Sequence, residues 1–266
     1  MERTGKCLRD HLMGLVLLGG LILQTACSVK EDRMPCPCLL SLDFVCPETD
    51  AWELAGLMVT SQSGFEWKDT VDVSRGGNGY FVPVPQAPLH VRAWAGDDGL
   101  MSESGLVIPF GCDCPRVFMH DSDVMADGEY HHETVTLRKN HCLLTLTTEG
   151  EGRLSSVLRL KGNVAGYDAM GRPLNGEFGF VLDDDGLEGG YTAVLPRQSD
   201  ASLMLEADDG KGNIVDFAIG QYIVSSGYDW TSPALDDISI TLDYALTEVR
   251  VMIGGWESVF RYDVEI

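Results

Sequence analysis

Six cysteines downstream of position 27 are the residues whose type and spacing could do the most chemistry: Cys36, Cys38, Cys46, Cys112, Cys114 and Cys142. Four of them form two Cys-x-Cys units, and side chains two residues apart share one face of an extended chain. Each unit therefore presents both thiols on one side, which favours disulfides from unit to unit in an oxidising compartment. Six cysteines allow 15 pairings, so the connectivity stays open.

The same thiols could instead bind zinc together with imidazoles, from His120, His131, His132 or His141. Zinc sites favour cysteines separated by two to four residues, whereas each unit here has a single intervening residue. Calcium is also disfavoured at Asp183, because the neighbouring acids are consecutive and the twelfth position is Val194 rather than glutamate. We predict no metal site.

Catalytic motifs are absent from the sequence. It contains no nucleophile elbow, zinc-protease helix, phosphate-binding loop or dinucleotide fingerprint. We therefore predict that the chain is not an enzyme and needs no cofactor. Stacking on sugar rings is a separate possibility, carried by five tryptophans: Trp52, Trp67, Trp94, Trp230 and Trp256.

The first 26 residues have the pattern of a signal peptide. Basic residues precede a 12-residue apolar run at 12–23, which is too short to span a bilayer, and small residues lead to Cys27. The site resembles a bacterial lipobox, so lipidation of Cys27 is predicted, followed by a linker over 27–35. The alternative is ordinary cleavage, which would leave a secreted protein.

Charge limits the partners. The chain has 19 basic and 41 acidic side chains and a formal charge of -22, so nucleic acid is excluded because binding its phosphates requires clustered Lys and Arg. An anionic membrane surface would repel the protein for the same reason. Two or more acyl chains on Cys27 would hold it at a membrane without a basic patch.

Short apolar or alternating runs separated by tight-turn pairs such as Asn-Gly recur along the rest of the chain, and no helical period is sustained for three turns. Strands of four to seven residues at this spacing are typical of β-sandwiches. We predict an all-β fold with an N-terminal sandwich over 36–138 and a C-terminal sandwich over 139–266.

Several motifs then resemble the FimB-like fimbrial anchor subunits of Bacteroidota. Cys27 with the acidic residues after it and Cys36-Pro37-Cys38 resemble the start of that family. The later motifs follow in the same order, namely Pro109-Phe110-Gly111-Cys112, Leu195-Pro196-Arg197-Gln198, Gly220-Gln221-Tyr222-Ile223, Gly227-Tyr228-Asp229-Trp230 and Leu235-Asp236-Asp237-Ile238.

The resemblance implies two tandem transthyretin-like sandwiches of the fimbrillin type. It also implies a lipidated subunit, exposed at the outer membrane, that anchors the base of a type V fimbrium and has shaft subunits as its partners. A surface-exposed glycan-binding lipoprotein of a sugar-uptake system is the alternative function, because it would share the signal, the acidity and the sandwiches.

The C-terminal residues alternate apolar and charged side chains, with Phe260, Tyr262, Val264 and Ile266 on one face. Such an amphipathic strand could simply complete the sheet of its own domain. The family resemblance suggests instead that it is donated to a neighbouring subunit, where strand addition supplies backbone hydrogen bonds and side-chain pockets.

Overall fold

A computed structural model of the chain describes residues 36–45, 53–73, 79–96, 99–149, 157–182, 190–208, 211–212, 214–243 and 248–261. Within these ranges it contains nineteen strands and one short helix. All of them belong to one compact unit that begins at Cys38. The all-β prediction is confirmed.

The first sandwich consists of eight strands. They are β1 (Cys38–Val45), β2 (Leu54–Ser61), β3 (Glu66–Asp72), β4 (Tyr80–Val84), β5 (Pro88–Ala95), β8 (Phe118–Met125), β9 (Tyr130–Thr136) and β10 (Arg138–Lys139). One sheet has the order β4-β1-β9 and the facing sheet has the order β10-β8-β5-β2-β3.

Alternation of side chains explains why these residues form a sandwich. In β5, Leu89, Val91 and Ala93 are almost fully buried and point into the core, whereas His90 and Arg92 lie on the opposite face of the sheet. The inward residues of the two sheets form one apolar core, which runs from Cys38 to Leu137.

The second sandwich contains the remaining long strands and the helix. They are β11 (His141–Glu149), β12 (Val157–Asp168), β13 (Pro173–Val181), β14 (Gly190–Pro196), β15 (Met204–Asp208), β16 (Ile214–Phe217), α1 (Ile219–Ser225), β17 (Ile238–Asp243), β18 (Glu248–Ile253) and β19 (Trp256–Arg261). One sheet has the order β14-β11-β17-β18-β19, and the other has the order β16-β15-β12 with β13 beside β12.

The two sandwiches repeat one topology. In each, the first strand lies between an antiparallel fourth strand and a parallel last strand, giving β4-β1-β9 and β14-β11-β17. The facing sheets β8-β5-β2-β3 and β16-β15-β12-β13 also correspond strand for strand. The hairpin β18–β19 is the addition: it extends the second sandwich beyond β17.

A short hairpin connects the two halves. The strands β6 (Met101–Ser102) and β7 (Gly105–Val107) follow β5 in the chain, yet β7 pairs with β12 of the second sandwich. A Cβ on Gly166 would lie 2.0 Å from the Leu106 carbonyl oxygen, so only glycine permits this approach. The boundary at 138/139 stays a prediction, and this hairpin crosses it.

The helix α1 was not predicted. It has seven residues, which is too short for a helical period to stand out in the sequence, and it contains the Gly220–Ile223 motif. Its buried side chains, Ile219 and Ile223, are four residues apart and so share one face, which packs into the second core.

Candidate functional site

The C-terminal hairpin is the candidate for joining another subunit. β19 pairs antiparallel with β18, and a two-residue turn at Gly254 and Gly255 connects them with φ values of 54° and 85°. Two positive φ values are typical of a type I′ turn, which matches the twist of a hairpin. β19 is the last strand of its sheet, and no described residue pairs with its outer edge.

Phe260 lies in the sheet of its own sandwich. It is half-buried opposite the buried Val249 of β18, and its ring centroid is 5.3 Å from that of Tyr222 in α1. This residue therefore packs on the second core. The other residues assigned to the partner-binding strand, Tyr262, Val264 and Ile266, lie outside the described residues, so donation of the strand stays a prediction.

The tip and outer face of this hairpin expose apolar side chains. Trp256, directly after the turn, is 84% exposed, while Val259 and Met252 are about half exposed on neighbouring strands. Alternation places Trp256 on the face of Phe260 and Val259 on the opposite face. An exposed tryptophan beside an unpaired edge is suited to contact with another protein.

Each Cys-x-Cys unit has one buried thiol, and the two buried thiols lie in different cores. Cys38 is buried in the first core and Cys114 in the second, while Cys36 and Cys112 are exposed. Cys38, Cys112 and Cys114 are free thiols, so the predicted bridge between the units is not formed by these residues. The buried thiols of the two units lie in different cores, so the described structure does not support a bridge between the units, and the pairing of the six cysteines stays a prediction.

The remaining cysteines divide between the core and the undescribed part of the chain. Cys142 is a buried free thiol, and burial raises its pKa to about 12. Burial also raises the pKa of Cys114 well above its ordinary value. Both thiols are therefore protonated and poorly nucleophilic at neutral pH. Cys46 and the predicted lipidation site Cys27 lie outside the described residues.

Histidines do not gather with the thiols. His131 and His132 lie in β9, with Nε2 of His132 3.6 Å from the Asp43 carboxylate, while His141 is buried at the start of β11. In the described part of the chain, no three His, Cys, Asp or Glu side chains are placed to hold a metal ion. The acidic residues at 183–186 are not described.

His120, Ser122 and Glu133 form a hydrogen-bond chain that has the wrong direction for catalysis. Nδ1 of His120 lies 3.2 Å from the backbone nitrogen of Thr136 and 3.3 Å from its carbonyl oxygen; with Nδ1 accepting from the backbone N–H, the ring proton is on Nε2. Nε2–H then donates to Ser122 Oγ (3.0 Å), and the hydroxyl donates to Glu133 (3.3 Å). A nucleophilic serine would donate to histidine instead. Burial lowers the pKa of His120 and keeps it neutral.

Arg197 has a structural role that the sequence did not reveal. Its backbone N–H donates to the Tyr167 hydroxyl (2.8 Å), its Nε to Asn140 Oδ1 (3.0 Å), and one terminal nitrogen to the carbonyl oxygen of Ser232 (2.7 Å). Asn140 is the residue between β10 and β11. The motif that contains Arg197 therefore fixes the segment between the two sandwiches.

The described tryptophans do not share a platform for sugars. Trp67 packs against the first core, Trp94 packs against the second core, and Trp230 is 7% exposed within it. Among these four, Trp256 is the exposed one, and Trp52 is not described. The described residues include no helix long and apolar enough to cross a membrane.

Comparisons with known proteins show the fold. No protein-family model and no curated protein matches the chain. Among solved structures, the fimbrial anchor protein Mfa2 from Porphyromonas gingivalis has a TM-score of 0.63 at 13% identity, over 84% of this chain and 99% of Mfa2.

Two proteins of Bacteroides thetaiotaomicron are similarly close. One, provisionally described as polysaccharide-binding, has a TM-score of 0.64 at 15% identity, over 85% of this chain and 98% of its own. The other, provisionally described as an adhesin, has a TM-score of 0.59 at 14% identity, over 85% and 99%. At these identities the similarity establishes a shared fold over nearly the whole of each neighbour.

Proposed function

We propose that this chain is a non-enzymatic subunit of a cell-surface fimbrium, tethered to the outer membrane through lipidated Cys27. The observation that supports this most is the fold shared with Mfa2 across 99% of that anchor protein.

Lipidation of Cys27 would attach the protein to the membrane, which its acidic surface cannot do. A chain of charge -22 does not adhere to anionic lipid by its side chains. Acyl chains on one cysteine would attach it while leaving both sandwiches in solvent, since each buried methylene contributes about 0.8 kcal/mol. Membrane attachment and subunit contact then belong to opposite ends of the sequence.

The C-terminal end would join the shaft. In this proposal, the residues after Arg261 pair with a neighbouring subunit, and the hairpin β18–β19 with Trp256 forms the adjoining contact. Phe260 stays in its own sheet, so the donated part begins beyond it. The segment that we propose to be donated to a neighbouring subunit is therefore 262–266, without Phe260.

Cys27→Ala tests the tether in a strain that makes the fimbriae. We expect the protein and its fimbriae to move from the membrane fraction into the medium, whereas the control Cys7→Ala, inside the signal peptide, should change nothing. Membrane retention of the Cys27→Ala protein would refute the tether.

Truncation after Arg261 tests whether residues 262–266 join this chain to the fimbrial shaft. Because β19 stays intact, we expect a folded, membrane-bound protein from which fimbriae are released. Co-purification of the truncated protein with fimbrial shafts would show that 262–266 is not the joint. Trp256→Ala tests the contact made by the hairpin β18–β19 separately. We expect the Trp256→Ala protein to retain less of the fimbrial shaft than the natural protein does.

Glycan binding is a second candidate, and Phe110 favours it. This side chain is 70% exposed in a turn closed by a hydrogen bond from Cys112 N–H to Pro109 O (3.1 Å) and joined to β13 by one from Gly111 N–H to Gly179 O (2.9 Å). An aromatic ring fixed in this way could stack on a sugar. A glycan array tests this: the natural protein should bind a glycan that the Phe110→Ala protein does not bind.

A further inference from the structure

The ring of Phe110 stands on the outer face of the second sandwich, in a turn that two strands hold in place. Ile108 N–H donates to Ala165 O of β12 (2.8 Å), and Gly111 N–H donates to Gly179 O of β13 (2.9 Å). The φ of Gly111 is 92°, which the third residue of a type II turn requires. The backbone that carries the ring is therefore ordered before a ligand binds, and this lowers the cost of binding.

The Phe110 ring packs on the backbone of Gly179. A Cβ at Gly179 would lie 3.5 Å from Cε2 of Phe110 and 3.0 Å from the carbonyl oxygen of Leu160, so a side chain at this position would crowd both. The ring therefore rests against β13, while Phe110 remains 70% exposed. This arrangement leaves a supported, flat apolar surface open to solvent.

A groove of about 440 Å³ begins at this ring and crosses β12 and β13. It is lined by Gly179 and Val181 of β13 and by the residues that pair with them on β12, Lys161 and Arg159. Neighbouring outward residues of a strand are about 7 Å apart, so the two cationic side chains follow the ring at successive positions. The groove has the size of a site for a small ligand, for which roughly 300–1,000 Å³ is typical.

The cations of this groove are already paired with carboxylates. Nη1 of Arg159 lies 3.0 Å from Glu206 and 3.3 Å from Asp208 of β15, and Nζ of Lys161 forms an ion pair with the other oxygen of Glu206. Asp216 of β16 is exposed opposite Glu206. Two cations thus face three carboxylates among the described residues on this face, so the groove has no surplus positive charge to hold an anion.

A sugar without charged groups matches this combination of an apolar ring and paired charges. Each sugar hydroxyl both donates and accepts a hydrogen bond, and the groove offers ammonium and guanidinium donors beside carboxylate acceptors. The C–H face of a pyranose ring can lie on an aromatic ring. A uronic acid or a sulfated sugar would instead meet the carboxylates of Glu206 and Asp216, and the whole chain has a charge of -22.

We propose that this groove binds a neutral oligosaccharide, with one pyranose ring stacked on Phe110 and hydroxyls of the adjoining unit hydrogen-bonded to Lys161 and Glu206. The proposal rests on the second candidate function, glycan binding, and adds the class of glycan and the polar contacts. It does not depend on lipidation of Cys27 or on donation of residues 262–266.

Isothermal titration of the natural protein tests the class of glycan. The neutral probes are cellohexaose, maltohexaose and mannohexaose, and hexagalacturonate is the acidic probe of the same length. We expect at least one neutral hexasaccharide to bind with a Kd below about 1 mM, and hexagalacturonate to bind at least tenfold more weakly. Tighter binding of hexagalacturonate would overturn the neutral class while leaving glycan binding in place.

Variants of the groove test the place of binding. Affinity for the neutral probe should fall at least tenfold on Phe110→Ala and be retained on Phe110→Tyr, which keeps the ring. Lys161→Met keeps the apolar stem but removes the donor, so it should also weaken binding. Trp256→Ala, which removes an exposed aromatic ring elsewhere in the second sandwich, is the control and should change nothing.

Saturation-transfer NMR on the natural protein keeps the proposal testable even if a variant fails to fold. Irradiation of aromatic protons should saturate the C–H protons of one sugar unit more strongly than those of the others. Even saturation along the chain, or neutral binding that is unchanged by Phe110→Ala, would overturn this groove but not glycan binding. Binding of none of the four hexasaccharides would count against both.

Discussion

His141 should make the stability of this protein fall steeply in mildly acidic solution. Its side chain is 4% exposed at the start of β11, its Nδ1–H donates to the carbonyl oxygen of Val117 (3.0 Å), and Phe118 packs edge-on at 5.2 Å. Burial lowers its pKa from 6.5 to about 4. The folded state therefore holds the neutral ring, and protonation favours the unfolded chain.

The size of the effect follows from this shift in pKa. The unfolded chain takes up a proton at about pH 6.5, whereas the folded chain does so only near pH 4. The contribution of a neutral His141 is complete above pH 6.5 and is lost as the pH falls toward 4. At about 1.4 kcal/mol per pH unit, the loss is about 3 kcal/mol.

His141→Asn isolates this contribution, because the amide Nδ2 can replace Nδ1 as donor to Val117 but does not titrate. The free energy of unfolding, measured in urea at several pH values, should fall more steeply for the natural protein. The difference between the two proteins should change by about 3 kcal/mol between pH 6.5 and 4. His132→Asn, on the exposed face of β9, serves as control. A constant difference for His141→Asn would refute the reasoning.

Three further outcomes follow from the packing. A Cβ on Gly56 would lie 2.4 Å from the Trp94 ring, so Gly56→Ala should lower the free energy of unfolding by about 1–3 kcal/mol in urea. Iodoacetamide at pH 8 should alkylate the exposed Cys112 while Cys114 reacts only after unfolding, and equal rates by mass spectrometry would contradict its burial. Arg92→Met removes a buried donor to the β6–β7 hairpin, so amide exchange there should accelerate, with Arg92→Lys intermediate.

The strands were predictable because their alternation is local. The apolar runs at 143–147 and 238–244 correspond to β11 (His141–Glu149) and β17 (Ile238–Asp243). The crossing hairpin β6–β7 was not predictable, since strands of two and three residues have no measurable period. Its position depends on Gly166, whose partner lies about sixty residues earlier in the chain.

The cysteine pairing could not be predicted from the spacing of the cysteines. The spacing predicted an extended chain at both units, yet only Cys38 of the four thiols lies in a strand, and Cys112 lies in a turn. The spacing also carries no information about which core each thiol enters. Cys38 and Cys114 both face inward, each into a different sandwich. Likewise, alternation marks Phe260 as an inward residue, while only the fold shows that Tyr222 lies beneath it. Contacts between distant segments require the tertiary structure.

The parallel pairing of β1 with β9 determines how the first sandwich would carry a pulling force. The chain enters this sandwich through β1 and leaves it through β9, and the two strands are neighbours over seven residue pairs. Tension on the two ends acts at opposite ends of one ladder, so its hydrogen bonds are loaded in shear and must break together rather than one by one. The second sandwich has the same parallel pairing, of β11 with β17, but its chain continues through β18 and β19. In the proposed fimbrial role, the first sandwich would extend under hydrodynamic drag only after the whole β1–β9 ladder fails.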